Sequence, residues 1–515
     1  MAPEAPVLVE EIARTSADVA ATSARLGKVS LLADFLARLE PDEVRVAVSY
    51  LSGELPQGSV GIGWASLREL SRPADPPATL ALLEVDAAVS RIAAIAGPGS
   101  QAARRAELSN LFSRATEPEQ RFLVSLFLGE LRQGALEGVV TDAVAKAAGL
   151  PPPAVRRALM LAGDLGVVAE AALARGLDGL AGFGLVVLSP VKPMLAQTAS
   201  SVEEALGRVS PARLEWKLDG ARMQVHRGGD EVRAFTRNLA DITDRIPEIV
   251  EAVLALDVDS VVFDGEAIAL RPDGRPHPFQ VSMSRFGSKR TVAEQREELS
   301  LSPFFFDCLH LDGDDLLDRP ARERLHALAR AAPESLRVPS VETEDPEEAQ
   351  RFLDDALAHG HEGVMVKSLD APYEAGRRGA GWLKVKQAHT LDLVVLAADW
   401  GHGRRTGRLS NLHLGARDAE GGRFVMLGKT FKGMTDEMLA WQTERLLALE
   451  LRREGHVVFV RPELVVEVAF DGIQASTRYP GGVALRFARV KGYRPDKSPS
   501  EADTIETVRS IHGAQ

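Results

Sequence analysis

The amino-acid sequence predicts three domains: an all-α domain at residues 1–188, an α+β domain at 189–388 and a small β-barrel at 389–515. Three observations support this prediction. A chain of 515 residues is too long for one hydrophobic core. In its first part, apolar residues recur every three or four positions, which is typical of amphipathic helices. In the rest, short segments rich in β-branched and aromatic residues dominate, which is typical of strands.

The first domain is predicted to consist of many short helices. Runs such as TSADVAATSARLGKVSLLADFLARL and EQRFLVSLFLGELRQGALEGVVTDAVAKAAGL are rich in Ala, Leu, Arg and Glu, which favour helix. Gly and Pro residues interrupt the pattern near Gly53, Pro73 and Pro151, where turns are expected. No part of this domain has the spacing of a nucleophile–base pair or of a metal site.

The pattern changes near Gly182, in the segment GFGLVVLSPVKPMLAQ. Strand-like segments follow, with helical patterns between them at 247–256 and 346–358, so an α+β domain is expected. The last block contains about five further strand-like segments and one helical insert near 436–451. Its length and strand content indicate a β-barrel the size of an OB-fold.

Composition indicates a soluble protein of a reducing compartment. The single cysteine, Cys308, can form neither an internal disulfide nor a thiolate zinc site. The N-terminus carries acids where a secretion signal would need cations, and no apolar stretch approaches the roughly 20 residues needed to cross a bilayer. We therefore expect a cytoplasmic protein without membrane association, close to the nucleoid if the source is a bacterium.

Net charge does not decide whether nucleic acid is a partner. The formal charge of −12 argues mildly against it, but phosphate backbones are bound by local clusters of cations. Between Ala371 and Ser410 the sequence has seven cations and three acids. A solvated basic surface is the alternative interpretation of that cluster.

The segment EWKLDGAR, Glu215 to Arg222, carries the most specific chemical signal. It places Lys217 at a strand end before a turn at Asp219 and Gly220. A nucleophilic lysine must be neutral when it attacks, so its pKa is expected to be lowered by a polarising site or by nearby cations such as Arg222 and the lysines further on. On this octamer alone, a surface lysine before a hairpin is an equally good interpretation.

The octamer resembles motif I of the covalent nucleotidyltransferases, and six further segments resemble their other motifs in the same order. With VKPMLAQ and the three-domain layout, they make the chain similar to ATP-dependent DNA ligases of the eukaryote-like type. TSARLGKV and YLSGELPQGSVGIGWASL look like actinobacterial members of that family. The six segments are TRNLADIT, VVFDGEAIAL, FFFDCLHLDG, EGVMVK, GWLKVKQ and RFARVKGYRPDK.

The resemblance implies a role for individual residues. Lys217 would attack the α-phosphate of ATP, and the AMP would pass to the 5′-phosphate of a nick before the 3′-hydroxyl attacks. Glu215 would accept a hydrogen bond from the adenine amino group, and Phe306 would stack on the purine. For Phe306, one of three consecutive phenylalanines, a place in the core is the alternative. The remaining residues would contact the ribose or the phosphates: Arg222, Arg237, Glu266, Arg378, Lys384, Lys386, Arg486, Arg489 and Lys497.

Glu266 and Glu362 are the expected ligands of Mg²⁺ or Mn²⁺, since such ions prefer oxygen ligands. Arg377 is an alternative to its neighbour Arg378, because the sequence does not say which side chain points inward. The cations of the segment RFARVKGYRPDK, which resembles motif VI, would act only in the first step, after which the last domain would swing about a hinge near 387–392.

The resemblance also implies the partner. The substrate would be nicked duplex DNA, bound through its backbone and minor groove without sequence specificity, in replication, repair or recombination. A monomer is expected, and contact with a sliding clamp is left open.

Five alternatives use parts of the same pattern. An mRNA capping guanylyltransferase does not explain VKPMLAQ, the segment at Thr236 or the helical domain. An RNA ligase normally lacks that helical domain, and an end-joining ligase often has extra catalytic domains. An NAD-dependent ligase usually has a cysteine zinc site, which one cysteine cannot build. A catalytically inactive DNA-binding scaffold would not need Lys217, Glu266, Glu362 and Lys384.

Overall fold

The computed structural model describes residues 6–514, with gaps at 59, 69, 71–76, 98, 132, 135–136, 288–291, 375–377, 387–388, 403–404 and 419–421. Within these residues the chain forms a helical domain, an α+β domain and a strand-rich domain, as the sequence predicts. None of the helices in the described part of the chain has both the length and the apolar character needed to cross a membrane.

The helical domain is built around one continuous apolar core. Its helix ends follow from the sequence: Thr116 and Glu119 form a capping box at one N-terminus, and Gly53 and Gly163 end two helices in the left-handed conformation. The helices are Val9–Ala21 (α1), Arg25–Leu36 (α2), Pro41–Ser52 (α3), Trp64–Arg68 (α4), Leu82–Ala94 (α5), Ser100–Arg114 (α6), Glu117–Phe127 (α7), Glu137–Ala147 (α8), Pro152–Ala162 (α9) and Leu165–Ala181 (α10).

The middle domain contains two five-stranded sheets, with orders β1-β10-β9-β2-β8 and β4-β3-β5-β6-β7. Its strands are Leu195–Thr198 (β1), Ala212–Trp216 (β2), Ala221–Gly228 (β3), Glu231–Thr236 (β4), Ser260–Ala269 (β5), Leu301–Leu311 (β6), Asp314–Asp315 (β7), Ser340–Glu342 (β8), Gly363–Ser368 (β9) and Arg378–Lys386 (β10). Its α-helices are Val202–Arg208 (α11), Pro247–Leu254 (α12), Phe279–Gly287 (α13), Val292–Glu298 (α14), Ala321–Ala331 (α15) and Pro346–Ala358 (α16).

The last domain is a seven-stranded sheet with an added two-stranded hairpin, rather than the five or so strands expected. The segment HVVFVRPELVVEVAFDGI divides into three strands, because Pro462 cannot donate a ladder hydrogen bond and the chain turns again at Asp471. The elements are His389–Trp400 (β11), Leu409–Arg417 (β12), Phe424–Thr430 (β13), Asp436–Ala448 (α17), Glu450–Glu454 (β14), Val457–Val460 (β15), Val465–Phe470 (β16), Gly472–Ala475 (β17), Val483–Arg486 (β18), Arg489–Tyr493 (β19) and Ile505–Ala514 (α18).

Apolar side chains join the helical domain to the middle domain. Met160 and Leu161 of α9 share a buried cluster with Trp382 of β10, and Phe306 of β6 packs against it. The ion pair of Arg157 with Asp318 lies at the same junction. The helical domain is therefore packed against the sheets that carry the predicted site.

Candidate active site

Three charged side chains meet at neighbouring strand ends of one sheet. Lys217 follows β2, Glu362 precedes β9 and Lys386 ends β10, and these strands lie side by side in the order β10-β9-β2. The Lys217 Nζ lies 2.6 Å from Glu362 Oε2, and the Lys386 Nζ lies 2.7 Å from the same oxygen. One carboxylate thus bridges two lysines that the sequence assigns to different motifs.

Gly363 allows these strands to approach. Its φ is +141°, and a Cβ atom there would lie 2.2 Å from the carbonyl oxygen of Val385 and 3.0 Å from the Cα of Lys386. Only glycine avoids both the conformational strain and the overlap. The close packing of β9 on β10 therefore depends on this residue.

The pKa of Lys217 is raised, and the expectation that nearby cations lower it is wrong for this structure. Burial alone would lower the pKa, but the carboxylates of Glu362, Glu266 and Asp219 outweigh it. The Lys217 and Lys386 ammonium groups overcome the burial of Glu362 and lower its pKa to about 2. Carboxylates, not cations, are therefore the groups that set the charge of Lys217.

Arg222 does not lie free beside Lys217. Its guanidinium donates to both carboxylate oxygens of Asp264, at 3.0 and 2.6 Å, and to the Met194 carbonyl at 2.7 Å. Tyr373 donates to the same Asp264 at 2.7 Å. The pairing of Arg222 with Asp264 explains why its charge does not lower the pKa of the nucleophile.

Glu215 and Phe306 lie around one buried lysine that the sequence analysis did not include among the site residues. The Lys367 Nζ lies 2.6 Å from Glu215 Oε2 and 4.3 Å from the ring centroids of both Phe306 and Trp382. Arg213 approaches the other carboxylate oxygen of Glu215 at 3.3 Å. The predicted adenine contacts are thus adjacent, and the segment EGVMVK contains the lysine that joins them.

Glu266 lies on β5 opposite Arg222 and accepts a hydrogen bond from the Gly220 amide at 3.2 Å. Burial raises its pKa to about 7, against the lowering effect of Lys217 and Arg222. Both predicted metal ligands, Glu266 and Glu362, raise the pKa of Lys217. Within the described residues, however, no cluster of three or more His, Cys, Asp or Glu side chains has the arrangement of a metal site.

The last domain reaches this site through two ion pairs. Arg486 lies 2.9 Å from Asp219 of motif I, and Asp471 lies 3.6 Å from Lys386. Arg489 reaches the same Asp471 at 2.9 Å. A cavity of about 330 Å³ lies between the two domains, lined in part by Asp219, Glu362, Asp471 and Arg486. Arg486 of motif VI therefore contacts Asp219, two residues after Lys217.

Other predicted residues lie differently. Lys497 is paired with Asp392 at 2.5 Å, inside the last domain. Arg237 is exposed in the turn after β4. Lys384 lies in β10, with its backbone aligned with Thr198 and Met365. Arg377, the side chain of Arg378 and residues 387–388 of the predicted hinge lie outside the described residues.

Comparison with known proteins identifies the family. Models of the DNA ligase N terminus, the ATP dependent DNA ligase domain and the ATP dependent DNA ligase C terminal region match residues 65–145, 193–386 and 405–497. A probable DNA ligase of Anaeromyxobacter dehalogenans (strain 2CP-C) is 63% identical to this chain, and the alignment covers 98% of this chain and 100% of that protein. The chain belongs to the ATP-dependent DNA ligase family. It is therefore an enzyme that uses ATP and acts on DNA.

Further similarities place the ligase among bacterial relatives. A probable DNA ligase of Mycolicibacterium gilvum (strain PYR-GCK) is 60% identical and aligns over 98% of this chain and 99% of its own. The solved structure described as Pmar-Lig_PreS3 superposes with a TM-score of 0.63 at 18% identity, covering 95% of this ligase and 99% of that chain. The latter similarity shows the fold alone.

Proposed function

We propose that Lys217 is the nucleophile of this ligase and carries AMP as a phosphoramidate. The observation that supports this most directly is the contact of Lys217 with Glu362, which in turn contacts Lys386. Attack on the α-phosphate forms the N–P bond and expels pyrophosphate, and the lysine must first lose a proton. Once phosphates bind, Lys386 and Arg486 would stabilise their charge, because fixed cations stabilise a transferring phosphoryl group.

The adenine is proposed to bind beside Glu215 and Phe306. Glu215 is almost completely buried and held by Lys367 and Arg213, so it remains an acceptor for the amino group of adenine. An adenine amino group donates to that carboxylate, whereas the carbonyl of guanine would face it. This difference supports the use of ATP rather than GTP.

The divalent cation is proposed to be Mg²⁺ or Mn²⁺, held by Glu266 and Glu362. The donor set fits, because Mg²⁺ commonly takes one or two carboxylates and completes its shell with water and substrate phosphates. When bound, such an ion neutralises phosphate charge. The Glu362 carboxylate would then contact the ion as well as the Lys217 and Lys386 ammonium groups that it bridges in this structure.

The DNA contacts and domain boundaries belong to the same proposal. The helical domain is proposed to bind the backbone and minor groove of nicked duplex DNA without reading sequence, with the ligase acting as a monomer. The proposed boundaries, 1–188, 189–388 and 389–515, are supported by the end of α10 at Ala181 and the start of β11 at His389. After the first step, the ion pair of Arg486 with Asp219 and the ion pair of Asp471 with Lys386 would have to break.

The first experiment is incubation with α-labelled ATP, α-labelled GTP or labelled NAD and Mg²⁺, followed by a denaturing gel. Label from ATP alone, absent from Lys217→Ala and chased onto nicked DNA, is the expected result. A Lys217→Ala protein that takes the label as well as the wild type would contradict the assignment. Comparing Arg377→Ala with Arg378→Ala tests which arginine contacts phosphate, and equal losses of ligation would contradict the preference for Arg378.

A further inference from the structure

Lys217 and Glu362 both lie just outside the regular strand ladder. The paired region of β2 and β9 ends with Trp216 opposite Val364. Beyond it, the Lys217 amide donates to the Gly363 carbonyl at 2.8 Å, and the Glu362 amide donates to the Lys217 carbonyl at 3.1 Å. Strand ends have fewer neighbours to restrain them than strand interiors. Contacts of the neighbouring residues can therefore add to the restraint that these two backbone hydrogen bonds provide.

An aromatic cluster lies next to both residues. The indole of Trp216, the residue before Lys217, lies 4.9 Å from the ring centroid of His361, the residue before Glu362. The same indole stacks on His359 at 4.9 Å with an interplanar angle of 29°. Phe352 of α16 adds a third ring at 6.5 Å. These rings connect the end of β2 to the start of β9 and to the helix that precedes it.

Two ring nitrogens of the cluster are buried. Within the described residues, the Trp216 Nε1 and the His361 Nδ1 are both buried without a hydrogen-bond partner. Buried polar atoms are normally paired, and an exception calls for a reason. His361 also lines the cavity between the middle and last domains, beside Glu362 and Arg486.

We propose that Trp216 and His361 are positioning residues, whose ring contact fixes the Lys217 ammonium against the Glu362 carboxylate. This inference rests on the proposed role of Lys217 as the nucleophile. Neither ring touches the nucleotide in this proposal; each acts through the neighbouring residue in the chain. A misplacement of about 1 Å costs on the order of a hundredfold in rate, so loosening the rings should slow attack without weakening ATP binding.

The test uses the full chain with Trp216→Leu, which removes the stacking surface, and Trp216→Phe, which keeps an aromatic face. His361→Leu tests the other partner. Trp441→Leu is the matched control, because Trp441 packs on Tyr493 at a centroid distance of 4.6 Å in the last domain. Three quantities are measured for each protein: the single-turnover rate of lysyl-adenylate formation against ATP concentration, the sealing of a pre-adenylated nick without ATP, and Tm.

We expect Trp216→Leu and His361→Leu to form the adenylate at least tenfold more slowly at saturating ATP, with the ATP concentration at half-maximal rate changed less than twofold. Sealing of the pre-adenylated nick does not use Lys217 as a nucleophile but still uses the cation that Glu362 is proposed to hold, so it should slow clearly less than adenylate formation. Trp216→Phe should recover most of the rate, and Trp441→Leu should match wild type in adenylate formation.

Two results overturn the proposal. One is a wild-type rate of adenylate formation in Trp216→Leu or, if that variant does not fold, in His361→Leu. The other is equal slowing of adenylate formation and of sealing, which would indicate a general loosening of the domain. Labelling of Lys217→Ala would instead reject the nucleophile assignment, so the two failures are distinguishable.

Discussion

Replacing Gly363 by Ala should separate the strands that bring Glu362 and Lys386 together. The new Cβ atom would lie 2.2 Å from the Val385 carbonyl oxygen, whereas ordinary contact begins at 3.4 Å. The strands β9 and β10 must therefore move apart by roughly 1 Å at this point. The 2.7 Å contact between Glu362 and Lys386 lies immediately beside the overlap and would be lost.

The expected consequence is a loss of the first chemical step. A displacement of about 1 Å in a catalytic group costs on the order of a hundredfold in rate. The rate of lysyl-adenylate formation, measured by quenched reactions with α-labelled ATP, should therefore fall about a hundredfold in Gly363→Ala. Alanine in a left-handed conformation adds a conformational penalty of about 1–2 kcal/mol, so Tm should fall as well.

Gly455→Ala separates these two effects. Gly455 has a φ of +58° in the turn between β14 and β15, and a Cβ atom there meets nothing within 4 Å. This variant should lower Tm through the same penalty and should form the adenylate at the wild-type rate. If Gly363→Ala forms the adenylate as fast as Gly455→Ala does, the steric reasoning is refuted.

Three further predictions follow from buried groups. Burial lowers the pKa of His226 to about 3, so between about pH 6.5 and pH 3 the unfolded chain binds a proton here that the folded chain does not. The contribution of His226 to the free energy of unfolding from urea titrations should decrease by up to about 1.4 kcal/mol per pH unit as the pH falls through that range, and His226→Gln should reduce the measured slope accordingly. Asp307→Asn leaves the fully buried guanidinium of Arg324 without its carboxylate and should cost about 3–5 kcal/mol of stability, seen as a lower Tm. Phe306→Leu should raise the KM for ATP in adenylate formation, because the proposed stacking surface is lost.

Each of these predictions has a contradicting outcome. Parallel pH slopes for wild type and His226→Gln would show that another group binds the proton. For Asp307→Asn the control is Glu117→Gln, since the pair of Glu117 with Arg121 is exposed and is expected to contribute less than about 1 kcal/mol. Equal Tm values for these two variants would argue against the buried pair, and an unchanged KM in Phe306→Leu would argue against stacking.

The sequence was sufficient to predict the three-domain architecture, because helical and strand periodicities change along the chain at identifiable points. It also predicted that Lys217, Glu362 and Lys386 belong to one site, since each lies in a segment that resembles a family motif. Their contacts with one another were not predictable from spacing. They depend on the strand order β10-β9-β2, which is a property of the folded sheet.

The sign of the pKa shift of Lys217 was predicted incorrectly for a related reason. Arg222 is close to Lys217 in sequence, but its guanidinium pairs with Asp264 of β5, a residue more than 40 positions away. Of the carboxylates that raise the pKa of Lys217, Glu266 and Glu362 also come from distant segments, and Asp219 alone lies in the same octamer. The contact of Trp216 with His361 escaped prediction because stacking partners carry no spacing signal of their own. Electrostatics and ring packing are long-range properties of the chain, whereas periodicity is local.

The assembly of one site from β2, β9 and β10 has a consequence during synthesis. About 145 residues separate Lys217 from Glu362, and Lys386 follows later still. At translation rates of about 5–20 residues per second, roughly 7 to 30 seconds pass between the addition of the lysine and that of its carboxylate partner. A nascent chain of this ligase therefore carries its nucleophile well before it can use it, because Lys386 lies three-quarters of the way along these 515 residues and Arg486, which also acts in the proposed first step, comes later still.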